Sequence, residues 1–508
     1  MARIYVVEPG PTGGPGAMGA MILAESLGRA GHNVEHLRLA KKAAGRQLSL
    51  AGTGDVVKSM PRPDAWFISC IYVRQWLWIP QLFTHVGLPM LAERRQDSDP
   101  LIVFGGQVSI TPEPIASFAD IIALGDGELT GLTIASLLDS GAIRCDAMRE
   151  LRGRAGFYVP LYQSPPERFG RLEQSHFTPV ILRPGDNDRG ALTLEVARGC
   201  RSKCAFCPIG WAGGTYREAP AEDVNKTLLS LRGRPINLYA PDYSSVSYVD
   251  VLDATARAQG CANKGKDARL DAALRHLKAD PHSAKEFSFG VEGYSERLRR
   301  AIGKPLAASK IIDTMERLAK AKINNVKWYV IAGLPGEQQR DWDEFIALLK
   351  EIKRVFPHRL EISPTYFQSV PHTPLQWEDN HWDAAVHARA EALRSLMREW
   401  WIKDQLQWMT LPCKGRETHE HDSALQRGDR RVAQYLIELA GSQAKLQDGR
   451  WRDIAAKTGW SVDLSAIPHS AVMPWSHVDV GANQHALLTA AATYHRVMES
   501  GSAPTVTS

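Results

Sequence analysis

Apolar runs alternate with amphipathic stretches along the first 150 residues. The runs predict strands at Ile4–Val7, Val34–Leu37, Ala65–Ser69, Leu101–Phe104 and Ile121–Leu124. Apolar positions at helical spacing predict a helix over Met18–Ala30. Short buried strands that alternate with helices are typical of βαβ units and a parallel sheet. The pattern predicts a doubly wound α/β domain over residues 1–150.

Several predicted strands run into glycine or a small polar residue. Gly105-Gly106 follows the fourth strand, Gly125-Asp126-Gly127-Glu128 follows the fifth, and a glycine- and proline-rich loop follows the first. An open α/β sheet binds its ligand at the carboxyl ends of its strands, where glycine lets the backbone approach a large cofactor. Glycine-rich turns are also common in other doubly wound domains, so the pattern alone leaves a structural role open.

A second series of apolar runs predicts another set of strands. They are Leu192–Val196, Ile236–Tyr239, Glu286–Val291, Val326–Ile331 and Leu360–Ile362. Helical stretches lie between them, which predicts a partial (β/α)6 barrel of the TIM type over residues 191–384, with its site at the carboxyl ends of the strands. Residues 151–190 are rich in proline, glycine and arginine and are predicted to be a linker.

The last part of the chain, residues 385–508, is predicted to be mostly helical. Trp400, Trp401 and Trp408 recur at a spacing that favours a packed core over a substrate platform. The fold class is therefore α/β, with a doubly wound N-terminal domain, a partial barrel and a helical C-terminal region.

Composition adds limits to this picture. With 44% hydrophobic and 23% charged residues the chain is globular, and a net charge of +5 over 508 residues does not indicate nucleic-acid binding. The first residues lack the features of a signal peptide, and the most apolar stretch, from Trp66 to Phe83, is broken by polar residues and proline. We expect a cytoplasmic protein that does not bind membranes.

Three cysteines within eight residues carry the strongest chemical signal. Cys200, Cys204 and Cys207 have the spacing C-x3-C-x2-C, and thiolates are soft ligands suited to iron–sulfur clusters. A cubane has four irons, so three sulfurs leave one iron open to a substrate. A structural zinc site needs four ligands, and the other cysteines form no second pair. An odd count of seven cysteines in a long chain also disfavours a disulfide framework.

These cysteines, with the aromatic Phe206 before the third, resemble the signature of the radical S-adenosylmethionine (SAM) superfamily. The resemblance implies a [4Fe–4S] cluster whose open iron binds SAM and whose electron cleaves SAM to a 5′-deoxyadenosyl radical. It also implies SAM contacts from Asp242 to the methionyl amine and from Glu292 to the ribose. The Gly-Leu-Pro-Gly-Glu segment that begins Gly333-Leu334-Pro335 is similar to the segment that packs on adenine in the family.

The first domain resembles the cobalamin-binding domain that precedes many radical SAM cores. The similarity rests on Gly105-Gly106-Gln107, Pro112-Glu113-Pro114, Phe118-Ala119-Asp120 and Gly125-Asp126-Gly127-Glu128. The Asp-x-His-x-x-Gly motif that supplies an axial histidine in other cobalamin proteins is missing. The cobalamin-binding residues that the resemblance implies are Thr12, Gly13, Gly14, Ser69, Tyr72, Gly105, Gly106, Gln107, Gly125 and Glu128.

Segments near His372, Arg427 to Arg431 and His477 resemble other parts of the same group. The arginines suit either an anionic substrate or an internal network with Asp429. The two histidines are interpreted as structural, and no catalytic residue is assigned.

The resemblance implies a cobalamin-dependent radical SAM enzyme that methylates an unactivated carbon through methylcobalamin. Three alternatives stay open: cobalamin-dependent redox or rearrangement chemistry, a radical SAM enzyme whose first domain binds substrate instead of cobalamin, and a redox-sensing iron–sulfur protein. The substrate is not indicated by the sequence. The expected protein partner is an electron donor such as flavodoxin or ferredoxin.

Overall fold

The computed structural model describes residues 1–10, 18–40, 47–49, 60–165, 167–182, 191–263, 266–270, 286–380, 382, 384–404, 407–410, 416–442 and 449–500. The strands of the first sheet are β1 (Arg3–Glu8), β2 (Asn33–Ala40), β3 (Gln47–Ser49), β4 (Ala65–Ser69), β5 (Leu101–Gly105), β6 (Ile121–Ala123) and β7 (Phe157–Tyr158). Their spatial order is β3-β2-β1-β4-β5-β6-β7, and only β7 is antiparallel to its neighbour. The order reverses between β1 and β4, the kind of place where open α/β sheets bind ligands.

Helices cover both faces of this sheet. They are α1 (Met18–Arg29), α2 (Ile79–Val86), α3 (Gly127–Asp139) and α4 (Arg144–Leu151), with 3-10 turns at Val73–Trp78, Ala92–Arg94, Gln107–Ile110 and Glu113–Phe118. Successive strand residues point to opposite faces. Ile4 and Val6 pack in the core that includes α1, α3 and α4, whereas Tyr5 and Val7 pack in the core on the other face. The predicted α/β fold is confirmed.

The segment predicted to be a linker, residues 151–190, contributes strands to its neighbours. It holds β7, β8 (Phe169–Gly170) and β9 (Ile181–Leu182). β7 extends the first sheet, and β9 pairs antiparallel with the next strand of the chain. Strands of two residues are too short to leave a period in the sequence, so the composition alone suggested a simple connection.

The central part of the chain forms two further sheets and a ribbon. Its strands are β10 (Leu192–Glu195), β11 (Ala197–Arg198), β12 (Arg217–Glu218), β13 (Pro235–Tyr239), β14 (Ala262–Asn263), β15 (Lys266–Ala268), β16 (Glu286–Glu292), β17 (Asn325–Ala332), β18 (Arg359–Tyr366) and β19 (Trp408–Thr410). The sheet orders are β14-β13-β10-β9 and β15-β16-β17-β18-β19, and β11 and β12 form the ribbon. Neighbours are parallel except for the β9–β10 pair and the ribbon.

The helices of this part are α5 (Pro208–Ala212), α6 (Ala221–Ser230), α7 (Val249–Ala258), α8 (Glu296–Ala301), α9 (Ala308–Lys320), α10 (Gln339–Val355) and α11 (Ala384–Asp404), with a 3-10 turn at Tyr243–Ser245. One face of the five-stranded sheet, with Phe289, Trp328 and Ile362, is buried in a core that includes residues of α9, α10 and α11. The opposite face carries polar side chains such as Lys327 and Glu361, which pair at 3.0 Å.

The remaining elements are α12 (Arg416–Arg427), α13 (Arg431–Gly441), α14 (Trp451–Lys457), β20 (Val478–Asp479) and α15 (Gln484–Ser500). Leu425, Leu436 and Trp451 of α12 to α14 share a core with the first sheet, so the end of the chain returns to its beginning. Trp400 and Trp408 are buried against each other as predicted, whereas Trp401 is 61% exposed. None of the helices that the structure describes is long and apolar enough to cross a membrane.

Candidate functional site

A cavity of about 320 Å³ lies where the first sheet meets the central part of the chain. One wall is made by the carboxyl ends of β4, β5 and β6 and by residues of α1 and α3. The other wall contains Glu195 and Tyr239, which end β10 and β13, together with Pro208 and Ile209 of α5. Because α5 follows the cysteine motif directly, the cavity connects the glycine-rich edge of the first sheet with the cysteine loop.

Two glycines shape the first wall through their backbone. Gly106 has a φ of +100° and Gly125 a φ of +127°, conformations that side chains rarely adopt. A Cβ atom on Gly106 would overlap the backbone of Cys70, and one on Gly125 would overlap the carbonyl of Leu172. Close packing of the backbone within the wall therefore requires glycine at both positions.

The structure brings most of the predicted cobalamin-binding residues together. The predicted residues that line the cavity are Ser69, Gly105, Gly106, Gln107, Gly125 and Glu128. Tyr72 is not among the lining residues. It lies three residues beyond the end of β4 and is 64% exposed. Thr12, Gly13 and Gly14 lie outside the described residues.

Five charged side chains form a buried cluster at the cavity. Arg217 donates to Asp126 at 2.6 and 3.2 Å, and Arg198 lies 2.6 Å from Glu128 and 2.8 Å from Glu195. Burial raises the pKa of Asp126, but hydrogen bonds from Arg217 and from the backbone of Gln174 outweigh it and lower that pKa overall. Burial raises the pKa of Glu195, although Arg198 opposes the shift.

The cysteine loop is held by contacts from its own residues. The Ala205 amide donates to the carbonyl of Ile302 at 3.0 Å, and the indole of Trp211 donates to the carbonyl of Cys204 at 3.0 Å. Burial raises the pKa of the Cys204 thiol to about 11 and also raises the pKa of Cys207. Metal binding requires thiolates, so cluster assembly must release protons here.

The donor set fits an iron–sulfur cluster. Cys200, Cys204 and Cys207 supply soft sulfur ligands from a single loop. No three histidine, cysteine, aspartate or glutamate side chains converge on a point that could hold one metal ion, among the residues the structure describes. A cubane does not require such convergence, since each thiolate binds a different iron.

Glu292 has the backbone outlier that often accompanies function. Its φ is +62°, and the register of β16 against β17 shifts between Gly290 and Glu292. Glu292 Oε1 lies 2.9 Å from Nζ of Lys304, a residue that the sequence analysis missed. Burial lowers the pKa of Lys304, but Glu292 and Cys204 outweigh it and raise that pKa overall.

The sequence offers one signal for Lys304. It lies between glycine and proline in the turn Gly303-Lys304-Pro305, which follows the short helix after Glu292. A Cβ on Gly303 would lie 3.8 Å from Cα of Cys204, so this turn runs alongside the cysteine loop. The pair of Glu292 and Lys304 therefore joins the open face of the five-stranded sheet to the loop.

The Gly333-Leu334-Pro335 segment follows β17 and is fixed at both ends. Gly333 has a φ of +79°, and its amide donates to Glu337 Oε2 at 2.8 Å. The hydroxyl of Tyr494 donates to the Pro335 carbonyl at 2.8 Å, and Leu334 is buried. A loop fixed in this way is suited to present its backbone to a planar ring.

Asp242 and Phe206, the two other predicted SAM contacts, make contacts within the protein. Asp242 caps the 3-10 turn after β13 by accepting from the Ser244 amide at 3.1 Å. Phe206 is half-buried and packs against the core of the five-stranded sheet. Both residues lie next to the predicted site, but local packing accounts for the contacts they make.

The segments around His372, Arg427 to Arg431 and His477 make contacts between distant parts of the chain. Arg430 donates to Glu113 at 2.7 Å, and His477 lies 3.3 Å from the same carboxylate. His372 Nε2 lies 2.9 Å from the Ile110 carbonyl, and Arg427 donates to the Leu464 and Ser465 carbonyls. Of the two interpretations of the arginines, the geometry favours the internal network.

Family comparisons match two regions of the chain. The family described as "Radical SAM proteins, N-terminal" matches residues 40–160, and the Radical SAM superfamily matches residues 252–349. Together with the cysteine loop, these matches identify the kind of domain. The two matched regions are radical SAM domains. Such domains imply a [4Fe–4S] cluster and SAM as cofactors of this radical SAM protein.

Curated relatives of this radical SAM protein are distant. "Uncharacterized protein MJ0966" of Methanocaldococcus jannaschii is 25% identical over 254 residues, which are 48% of this chain and 53% of that protein. A tRNA-2-methylthio-N(6)-dimethylallyladenosine synthase of Sulfurihydrogenibium sp. is 24% identical over 177 residues, 32% of this chain and 40% of that one. The chain thus spans about half or less of the length of these relatives.

Among solved structures, the cobalamin-dependent SAM radical enzyme OxsB resembles this radical SAM protein over nearly its whole length. The form with aqua-cobalamin and SAM bound has a TM-score of 0.55 at 13% identity, covering 98% of this chain and 79% of OxsB. The form with aqua-cobalamin alone has a TM-score of 0.53 at 14% identity. At this identity the likeness establishes a shared fold.

Proposed function

We propose that the protein is a cobalamin-dependent radical SAM enzyme that methylates an unactivated carbon. The observation that carries the proposal is the cavity, whose walls combine the glycine edge of the first sheet with residues beside the cysteine loop. In this proposal the first sheet is a Rossmann-like cobalamin-binding domain, and the two central sheets form a partial (β/α)6 barrel around SAM. The shared fold with OxsB, which binds both cofactors, supports the same assignment.

The chain's own residues prepare two adjoining sites. Gly106 and Gly125 line the first wall of the cavity, where a corrin ring would lie, and Gln107 and Glu128 offer hydrogen bonds to polar groups at its edge. Cys200, Cys204 and Cys207 would hold the cluster. Bound cobalamin would supply a transferable methyl group, while the cluster and SAM supply the radical that removes a hydrogen atom.

The Glu292–Lys304 pair and the Gly333 loop would orient SAM against the cluster. Glu292 offers a carboxylate to hydroxyl groups, and the Lys304 ammonium, 2.9 Å away, balances its charge. The substrate would enter between the two sites, which requires both cofactors to reach a single carbon atom. The electron would come from a partner such as flavodoxin or ferredoxin.

Cofactor loading tests the proposal first. The protein is purified without oxygen, its cluster is reconstituted, hydroxocobalamin is added, and the desalted sample is analysed for iron, sulfide and cobalt. We expect one cobalamin per chain beside an intact cluster, with Cys204→Ala as the control that loses only the cluster. A cluster without retained cobalamin would overturn the cobalamin assignment and make the first domain a substrate-binding module.

Methyl transfer is tested separately with SAM that carries a deuterated methyl group. Under reducing conditions, a methyltransferase transfers this group from SAM to its bound cobalamin and releases S-adenosylhomocysteine, which mass spectrometry detects without knowledge of the substrate. Formation of 5′-deoxyadenosine without any labelled cobalamin would favour redox or rearrangement chemistry instead. The absence of both products would favour the redox-sensing alternative.

A further inference from the structure

Arg198 links the cysteine loop to the first sheet. It precedes Cys200 by two residues and extends into the cavity wall, where its Nη1 lies 2.6 Å from Glu128 and 3.2 Å from Asp126. Its other nitrogens donate to Glu195 at 2.8 and 3.0 Å. The guanidinium also lies over the ring of Phe177, and only 11% of the side chain is exposed. This one residue thus holds carboxylates from both walls of the cavity.

Arg217 makes a second link from the other end of the same loop. It pairs directly with Arg198 in the antiparallel ribbon of β11 and β12, so the ribbon closes the segment that carries the three cysteines. Its guanidinium donates to both carboxylate oxygens of Asp126 and to the Gln174 carbonyl, the latter at 2.7 Å. Both ends of the cysteine loop are therefore tied to one carboxylate, which lies between β6 of the first sheet and α3.

Asp126 is suited to be the common anchor of these contacts. It follows Gly125, whose backbone shapes the cavity wall, and it precedes α3 directly. Its Oδ2 also accepts from the Gln174 amide at 2.9 Å, so the carboxylate is held by three elements at once. A buried network of this kind adds little net stability, because desolvation offsets its attraction, but each charge fixes the geometry of the others.

We propose that Arg198 and Arg217 are positioning residues that hold the cysteine loop at a fixed distance from the cofactor-binding edge of the first sheet through Asp126. The inference rests on the proposed function, since it assigns the distance between the two cofactor sites to this network. Reacting groups must stay within about 3–3.5 Å, and a misplacement of about 1 Å is costly. A rigid link between the two sites meets that requirement.

Electron paramagnetic resonance measures the distance directly. The sample is the full chain loaded with both cofactors and reduced, so that the cluster and cob(II)alamin each carry an unpaired electron. Their dipolar coupling falls with the inverse cube of distance. We expect a resolved coupling in the wild-type protein and its loss or broadening in Asp126→Asn, Arg198→Gln and Arg217→Gln, with partial recovery in Arg198→Lys.

Arg430→Gln is the matched control. It removes another arginine–carboxylate contact between the first sheet and a distant segment, that with Glu113, but it leaves the cysteine loop untouched. We expect this variant to lose stability and to keep the wild-type coupling. If it loses the coupling equally, the network is merely structural and the inference is overturned.

The remaining outcomes also decide the question. A wild-type protein that retains no cobalamin defeats the proposed function and the inference with it. Wild-type coupling in variants that hold both cofactors overturns the inference alone, and loss of cobalamin with a full cluster assigns Arg198 to cobalamin binding instead. If a variant fails to load its cluster, the rate of amide hydrogen exchange in residues 199–216 is compared between variants. Faster exchange in Asp126→Asn than in Arg430→Gln supports the link, and equal rates contradict it.

Discussion

The two halves of the candidate site are specified in different ways. The cysteine loop depends on side-chain identity, because only thiolates at these three positions offer the soft donors that a cluster needs. The edge of the first sheet depends on backbone shape, because Gly106 and Gly125 adopt left-handed conformations and a side chain there would overlap neighbouring backbone. Removal of one sulfur atom should therefore disrupt the cysteine loop's site, whereas addition of one methyl group should disrupt the site at the edge of the first sheet.

This difference affects how easily each site is recognised. Three cysteines at fixed spacing are rare and point to one chemistry, whereas glycines after strands occur in many sheets. The first-sheet site becomes distinct only when its cavity is seen to reach the cysteine loop. Substitutions that remove or add single atoms test whether the two halves are specified as described.

The largest effect is expected from Cys204→Ala. Removal of one of three thiolates leaves a second iron of the cluster without a protein ligand, so iron content and SAM cleavage should fall to background. Cys261→Ala is the control, since Cys261 is equally buried but donates only to the Leu231 carbonyl. Iron and sulfide analysis with 5′-deoxyadenosine detection measures both. Equal loss in the two variants would show a general folding defect.

The backbone-specified half should be broken by Gly106→Ala. A positive φ costs a non-glycine residue roughly 1–2 kcal/mol, and overlap with the Cys70 backbone forces the wall to shift. We expect cobalamin retention to fall about ten-fold or more, which corresponds to about 1.4 kcal/mol of binding free energy, with cluster content unchanged.

Gly141→Ala is the matched control for that variant. Gly141 has a φ of +88° at the end of α3, but nothing lies within 4 Å of its would-be Cβ. It should lose stability from the backbone alone and retain cobalamin. If both variants lose cobalamin equally, backbone strain and not the shape of the wall would be responsible.

Much of the fold follows from apolar periodicity. The predicted strand Ala65–Ser69 has those bounds in the structure, and Val326–Ile331 lies within the observed Asn325–Ala332. A strand that is buried on one or both faces has apolar residues at alternate or successive positions, and this pattern is visible in the local sequence. The two-residue strands β8 and β9 could not be predicted, because they form only where a partner strand is already present.

The site was predictable only in its local parts. The cysteines and the Gly333 loop each occupy a short stretch, so one segment contains the signal. The link from Asp126 to Arg217 spans 91 residues, and that from Glu113 to Arg430 spans 317. Arginine and aspartate are common, and no spacing relates such distant positions until the chain has folded.

A smaller effect is expected from Glu292→Gln. The change removes a carboxylate that would accept from ribose hydroxyls and leaves the Lys304 ammonium buried without its counter-ion. A charge-assisted hydrogen bond is roughly twice as strong as a neutral one, so SAM affinity should fall about ten-fold. Equilibrium binding of SAM to the cluster-loaded protein measures this.

Glu361→Gln is the control for that variant on the same sheet. Glu361 pairs with Lys327 at 3.0 Å, much as Glu292 pairs with Lys304 at 2.9 Å, but it lies nearer the amino end of its strand. SAM affinity should be unchanged. An equal loss of affinity would mean that any carboxylate–lysine pair on this face affects binding, and Glu292 would have no special role.

Two buried histidines should make the stability of the fold respond to acid. His372 and His421 are both buried; His372 Nε2 donates to the Ile110 carbonyl at 2.9 Å, and His421 Nε2 lies 2.7 Å from the hydroxyl oxygen of Tyr435. Burial lowers the pKa of His372 to about 4 and that of His421 to about 3. Below the unfolded value of about 6.5 the unfolded chain binds protons that the folded chain does not, so stability falls as pH decreases.

Between pH 7.5 and 5.5, each of these histidines should cost about 1.4 kcal/mol of unfolding free energy. Urea midpoints at the two pH values measure the loss, and His421→Gln should reduce it while the exposed control His485→Gln should not. An unchanged pH dependence in His421→Gln would mean that this histidine is not held neutral. Of the two contacts, only that of His372 with Ile110 joins the segment after β18 to the first domain, so its protonation should weaken that contact.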